Sequence, residues 1–397
     1  MGEGENPWTS RLSLLVLTHG AGTLGIVSVL AMAPVVTQDL GLSAAEFGFF
    51  ITAYYGAQAV CSIPAGALVD RIGVGWALVV CHAVMTAGAL LFSQVGSFEA
   101  ALAALAVMGM GYSISNPATA RGVLAWFPVE RRATAMGIKQ VGVPLGGILG
   151  AANGALVTVA AWGDIMIGVA GLIVLNGLMC LRLARLPRHA VPREKQHPLT
   201  NIREVMRDAN INRFVILNGL YNFAQTNFFA FLTLFIREAA HASQPMASLA
   251  IGIAQGASAC ARIGWGVVSD TVLAGRRKGL TVGLGVVAVA GLALLVLVGP
   301  GPGVYLGLGL AFLLGLTVAS FAPLMQTMAV ETTEPRLVGS SLGYNMLGTQ
   351  IGGMIGPPVF GAIVDASGGY GAGWLATAAV MGAGVLLLAF GFRERGR

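Results

Sequence analysis

Runs of roughly twenty apolar residues, repeated about twelve times with short polar connections between them, leave this 397-residue chain few ways to fold. A helix crossing a bilayer needs about 20 such residues. The runs lie near 11–38, 46–69, 74–95, 100–127, 133–160, 163–184, 211–236, 246–269, 279–299, 303–330, 337–364 and 372–392. Charged residues make up 10% of the chain and hydrophobic ones 56%, whereas a soluble domain carries about 25% charge. Such a chain solvates itself in lipid rather than in water, and there an α-helix satisfies its own backbone hydrogen bonds. The 57 glycines suit helices that pack backbone to backbone. The expected fold is an all-α membrane protein of twelve transmembrane helices, with the lipid bilayer as its principal partner.

Several other classes are excluded by the same reading. Cys61, Cys81, Cys180 and Cys260 are scattered in apolar runs without metal-ligand spacing, so neither a metal nor another cofactor is expected. Met1 to Ser10 has no basic segment, so the first run is read as a retained helix. The net charge of +6 sits mostly in short loops and implies no nucleic acid. Arg71, Arg131, Arg132, Arg276, Arg277, Lys278 and the tail residues Arg393, Arg395 and Arg397 fall on one side of the layout. The opposite loops hold little but Arg237. The positive-inside rule then puts both termini in the cytoplasm, and a bacterial inner (plasma) membrane is the expected location. The longest polar stretch divides the chain into a six-helix bundle over 1–184, a basic cytoplasmic linker over 185–210 and a second bundle over 211–397. A monomer is expected.

The two halves repeat one another. Gly66-Ala-Leu-Val-Asp70-Arg71-Ile-Gly73 after the second run is echoed by Gly266-Val-Val-Ser-Asp270 after the eighth. Met136-Gly137-Ile-Lys-Gln-Val-Gly-Val-Pro-Leu-Gly146-Gly147-Ile-Leu-Gly150 matches Leu342-Gly343-Tyr-Asn-Met-Leu-Gly-Thr-Gln-Ile-Gly352-Gly353-Met-Ile-Gly356. Parallel repeats of this kind are the organisation of alternating-access carriers. On these motifs the whole chain resembles the major facilitator superfamily. The resemblance implies two pseudo-symmetric six-helix bundles, with Gly66, Asp70, Arg71, Gly73, Gly266 and Asp270 forming a conformational latch. The Gly- and Pro-rich stretches 142–150 and 348–358 are expected where the halves rock against each other.

Ionisable side chains inside a membrane helix are costly and point to function. Here they are Arg121, Lys139, Arg262 and His19, whereas Asp39, Glu46, Glu99, Asp164 and Asp365 fall at outer ends or loops. Cations without internal acids point to a small anionic substrate. The stretch Arg262 to Asp270 also resembles the eighth helix of monocarboxylate, oxalate–formate and nitrate/nitrite porters, which implies that Arg262 contacts the anion. Nitrate porters carry a further Arg in the second helix, where Ser62 stands here. The stretch Arg121 to Arg131 is similar to the helix 4–5 junction of anion:cation symporters for sugar acids, which implies a place near substrate for Arg121.

Asn218, Tyr221, Asn222 and Gln225 share one face of the seventh helix, and with Lys139, Gln140, Tyr344 and Asn345 they complete the candidate binding set. Tyr54, Tyr55, Phe228 and Phe229 are candidates for closing over a ligand. His19 is the candidate for proton coupling, because imidazole titrates near neutrality. The expected function is a secondary active transporter of a mono- or dicarboxylate, as an anion exchanger or a proton-coupled symporter. A nitrate, nitrite or cyanate porter and a drug or metabolite efflux carrier are the alternatives. No nucleotide loop or nucleophile–base motif suggests an enzyme.

Overall fold

A computed structural model describes residues 7–128, 131–186, 203–273, 276–334 and 337–393. The middle of the expected linker (187–202), Arg395 and Arg397 of the tail, and the side chain of Asp270 lie outside the described residues. Among the described residues twelve helical columns follow one another: α1 (Pro7–Ala31, continued by Ala33–Leu40), α2 (Ala44–Ile72), α3 (Val74–Phe92), α4 (Phe98–Trp126), α5 (Arg132–Gln140 and Gly142–Leu156) and α6 (Trp162–Ala184). The rest are α7 (Ala209–Glu238), α8 (Gln244–Thr271), α9 (Arg277–Leu297), α10 (Gly303–Leu316 and Ala322–Thr332), α11 (Val338–Ser367) and α12 (Tyr370–Gly391). Eight of the columns contain a single stretch long and apolar enough to cross a membrane by length and composition. The other four are α2, α5, α7 and α10. Of these, α5 and α10 are interrupted, and α7 carries the polar stripe.

The interruptions have a local cause. Met32 in α1, Ile114 in α4 and Val141 in α5 precede Pro34, Pro117 and Pro144 by no more than three residues, and the break at residues 317–321 in α10 ends two residues before Pro323. Proline lacks the N–H that would bond one turn back, and its ring collides with that carbonyl. Carbonyls freed in this way need other partners, and that requirement shapes the candidate site at the α10 break.

The columns gather into two compact units, Met1–Gly41 with Ala53–Arg193, and Leu42–Thr52 with Glu194–Arg397. Two pairings recur, α1–α5 as α7–α11 and α3–α6 as α9–α12. In the first unit, α1 lies along α5, and α3 along α4 and α6; in the second unit, α7 lies along α11, α8 along α10, and α9 along α12. The α1–α5 and α7–α11 pairs touch backbone to backbone. A Cβ added at Gly146 would stand 2.0 Å from the Gly20 carbonyl oxygen, and one at Gly352 would stand 2.0 Å from that of Gly219. Gly142 and Gly150, and Gly348 and Gly356, flank these contacts one turn away on each side. These six glycines were expected between rocking halves, but they seal contacts inside each unit. The reason is the four-residue spacing, which stacks them on one helix face and admits the neighbouring backbone.

The start of α2 groups with the second unit through α11. The Asp365 carboxylate accepts from the Ala44 and Ala45 N–H groups at 3.0 and 2.9 Å, and the Thr52 hydroxyl donates to the Met354 carbonyl at 2.6 Å. Other acids also serve helix ends or loops. Ser43 and Glu46 form a reciprocal capping box at 2.9 and 3.2 Å, and Asp39 accepts from the Trp162 indole at 2.8 Å.

Candidate functional site: a buried lysine and a broken helix

In the first unit α1, α4 and α5 bring His19, Tyr112, Thr119 and Lys139 together. The Thr119 hydroxyl has one hydrogen, which goes to the Ser115 carbonyl at 2.7 Å. Its lone pairs then accept from Lys139 Nζ at 3.0 Å and from His19 Nε2 at 3.1 Å. His19 therefore carries its proton on Nε2, and its Nδ1 accepts from the Tyr112 hydroxyl at 3.4 Å. Tyr112 fits because Gly22 opposite has no side chain: a Cβ there would lie 2.0 Å from the ring. Tyr54 stacks on Tyr112 with ring centroids 6.2 Å apart, and Tyr55 meets Tyr54 edge-on at 5.6 Å.

Lys139 is 3% exposed. Its ammonium has three donors and, among the described residues, one hydrogen-bond partner, the Thr119 hydroxyl. No carboxylate of the described residues pairs with it. The break at Val141 ends the first piece of α5 immediately after Lys139 and Gln140, and the half-buried Gln140 amide has no hydrogen-bond partner among the described residues.

Arg121 sits elsewhere in the same unit. It is ion-paired to Asp70 at 2.7 Å, with about 30% of each side chain exposed. The expected latch Asp and the expected substrate Arg are thus partners of each other. Gly73 ends α2 with a φ of +82°, a conformation that glycine adopts without strain, while Gly66 has open space around its missing Cβ.

In the second unit the interruption of α10 is the organising feature. The Leu316 carbonyl accepts from the Trp265 indole at 2.7 Å, and the Val318 carbonyl from Gln225 at 3.1 Å. The Ala319 carbonyl accepts from Ser258 at 2.8 Å and from Arg262 Nη2 at 3.3 Å. Arg262 Nε also donates to the Ser258 hydroxyl at 3.3 Å. A guanidinium beside the carbonyl end of a helix fragment is favourably placed. Tyr221 packs on Phe321 at the same break, with ring centroids 5.2 Å apart and its buried hydroxyl unpartnered. Arg262, Gln225 and Tyr221, chosen from sequence on two helices, therefore converge on one interrupted segment.

The remaining polar candidates of this unit are turned toward neighbouring helices. Asn218 donates to Asn345 Oδ1 at 3.3 Å, Asn222 donates to the Thr349 carbonyl at 2.7 Å, and Asn345 donates to the Ser341 carbonyl at 3.0 Å. The first two bonds tie α7 to α11, and the third lies within α11. Tyr344 is packed against the apolar cluster of Val205, Ile211, Val215 and Leu337. Gly266 has open space around it.

Thr119, Tyr112, Ser258 and Trp265 were not singled out from sequence. A signal for Thr119 was present in Ser115-Asn116-Pro117-Ala118-Thr119, a polar, proline-broken patch inside an apolar run.

Comparison with known proteins agrees with this architecture. The family model for the Major Facilitator Superfamily matches residues 14–298 and 214–397. The chain is 24% identical over 403 aligned residues to the probable sulfoacetate transporter SauU of Cupriavidus necator, covering 96% of this chain and 92% of that protein. It is 28% identical over 141 residues to a galacturonate transporter of Dickeya chrysanthemi, covering 35% of this chain and 40% of that one. Its fold matches that of a bacterial homologue of the human lysosomal transporter Spinster, with a TM-score of 0.78, 15% identity and 97% of each chain covered. These matches are transporters and not enzymes. The family model spans well over half of the chain, and the chain belongs to the major facilitator superfamily.

Proposed function

We propose that the protein is a secondary active transporter of a small organic anion, a mono- or dicarboxylate or a related sulfonate, moved by alternating access. One observation carries this reading: Lys139 is buried with a hydroxyl and no carboxylate as its described partner. An unpaired buried charge costs roughly 3–5 kcal/mol, and an anion arriving with its own charge offsets that cost. The names of the relatives support the same class, since they describe transporters of sulfoacetate and galacturonate. Lys139 holds the anionic group, the free Gln140 amide adds a donor, and the Thr119 hydroxyl positions the ammonium. In the second unit Arg262, Gln225 and Tyr221 at the α10 break form a candidate polar binding surface of that unit. Asn218, Asn222, Asn345 and Tyr344 shape that surface by fixing α7 and α11. The Asp70–Arg121 pair belongs to the latch with Gly66, Arg71, Gly73, Gly266 and Asp270.

His19 gives this site a means of coupling. Its Nδ1 faces Tyr112, so a second proton there reverses that hydrogen bond and sets an imidazolium beside the Lys139 ammonium. Two cations sharing one hydroxyl are tolerated when an anion is present, so proton and anion enter together. His19→Gln is expected to keep anion exchange while losing stimulation by an inward proton gradient. Retention of gradient-driven accumulation in His19→Gln proteoliposomes would show that the proton travels elsewhere.

The protein works as a monomer in a bacterial inner membrane with both termini in the cytoplasm. Its bundles are 1–184 and 211–397, joined by the basic linker 185–210. The substrate class is tested by thermal shift of the purified protein, because a ligand that binds only the folded state raises its melting temperature. Sulfoacetate, galacturonate and simple carboxylates are expected to stabilise it. Stabilisation by nitrate alone, or by neutral and cationic amphiphiles alone, would replace this reading with inorganic-anion transport or efflux respectively.

A further inference from the structure

At the α4–α5 end of the first unit, two of the arginines outside the buried site are held by acceptors. Arg121 is neutralised by Asp70 at 2.7 Å. Arg132 donates to the last carbonyls of α4, Leu124 at 2.8 Å and Phe127 at 3.2 Å. Arg11, at the turn where α1 begins its long helical stretch, differs from both. Its guanidinium carbon lies 5.7 Å from the centre of the Trp126 ring, and its Nε is buried without a hydrogen-bond acceptor. Among the described residues no carboxylate pairs with it.

The position is built rather than incidental. Trp8, one turn earlier, meets Phe127 edge-on at 4.8 Å and fixes the start of α1 against the end of α4. Trp126 folds back over Gly122, where a Cβ would lie 2.9 Å from its ring. A cation over an aromatic face is held in place by the ring, yet its buried N–H still lacks an acceptor, which is costly. The chemistry that satisfies both the charge and the N–H is an oxyanion. Arg11 precedes His19 by eight residues on α1, about 12 Å of helix, so the two are separate stations.

We propose that Arg11, held by Trp126, is a second anion contact at this end of the first unit, through which the substrate passes between water and the Lys139 site. The proposal rests on the anion-transport reading and adds a place to it. A lipid phosphate offers the same chemistry as a substrate carboxylate or sulfonate, and the test separates the two.

The experiment uses the full chain in proteoliposomes with radiolabelled sulfoacetate and galacturonate as probes. Michaelis constants are measured separately at the two membrane faces. Arg11→Gln is expected to raise KM about tenfold at the face where α1 begins, through slower encounter with a charged ligand. KM at the other face and the affinity read by thermal shift are expected to stay as in the wild type. Arg11→Lys keeps the charge and is expected within about threefold of wild type. Trp126→Leu, which removes the supporting ring, is expected to give the same one-sided rise and serves as the second variant if Arg11→Gln folds poorly. An unchanged KM in Arg11→Gln and Trp126→Leu, or an equal rise at both faces, would overturn the proposal. The one-sided rise is expected in phosphatidylcholine liposomes with or without phosphatidylglycerol. A rise seen only with the anionic lipid would make Arg11 a headgroup anchor and also overturn it. A wild-type protein that carries neither probe nor any other organic anion would fail the transport reading itself, before any variant is compared.

Discussion

Replacing Lys139 with methionine is expected to abolish organic-anion transport while making the ligand-free protein more resistant to heat. The two effects have one cause. The ammonium is 3% exposed and bonded to a neutral hydroxyl. Exchanging it for an apolar side chain of similar length removes an uncompensated buried charge, and such exchanges often stabilise. With the anion bound, the same exchange removes the charge partner. Truncating one member of a desolvated charge pair costs about 2–5 kcal/mol, so a loss of roughly 100-fold or more in kcat/KM is expected. Lys139→Arg keeps the charge but not the geometry and is expected to retain a small fraction of activity. The measurement pairs initial-rate uptake with a melting curve for each variant. A Lys139→Met protein that melts lower and transports normally would make Lys139 a structural residue.

The second large effect concerns folding. Gly352→Val is expected to leave little monodisperse protein after detergent extraction, whereas Gly343→Ala on the same helix is expected to be neutral or mildly stabilising. A Cβ at Gly352 would stand 2.0 Å from the Gly219 carbonyl oxygen, while at Gly343 nothing lies within 4 Å. Overpacking of a close contact costs about 1–3 kcal/mol even for small additions, and here the obstacle is backbone, which cannot rotate aside. Removing an unconstrained helical glycine gains up to about 1 kcal/mol. Gly146 and Gly137 form the matching pair in the first unit. Size-exclusion profiles and apparent melting temperatures check all four. Equal behaviour of Gly352 and Gly343 variants would contradict the packing scheme.

Much of the fold is legible in the chain because lipid imposes one rule throughout. Apolar runs of bilayer length must be helices, and the repeat at an offset of 200 residues shows that the halves share one plan. The interruptions of α1, α4, α5 and α10 are also written locally, in Pro34, Pro117, Pro144 and Pro323. What the sequence does not reveal is which helix each glycine face meets. The series Gly142, Gly146 and Gly150 announces a close contact, but its partner, α1 in the same unit, is settled by tertiary packing.

The site divides along the same line. Lys139, His19 and Arg262 stand out as ionisable groups in apolar runs. Their roles depend on partners that have no such contrast. Thr119 is one hydroxyl among many, and the Ala319 carbonyl matters because Pro323 follows a break that leaves it free for Arg262 and Ser258. The stripe Asn218, Tyr221, Asn222 and Gln225 is real as a helix face. Its amides nonetheless reach α11 and the α10 break, because a face wide enough to line a cavity also touches its neighbours.

The central claim is that buried Lys139, with no carboxylate among its described partners, holds an organic anion on its way across the membrane. Counterflow in proteoliposomes tests it most directly: vesicles loaded with unlabelled sulfoacetate or galacturonate are diluted into trace labelled compound, and transient accumulation is followed. The account predicts overshoot with the wild-type protein, competition by other small organic anions, none by neutral or cationic compounds, and no overshoot with Lys139→Met. Accumulation of a cationic or neutral compound that organic anions leave untouched, with Lys139→Met as active as wild type, would contradict it.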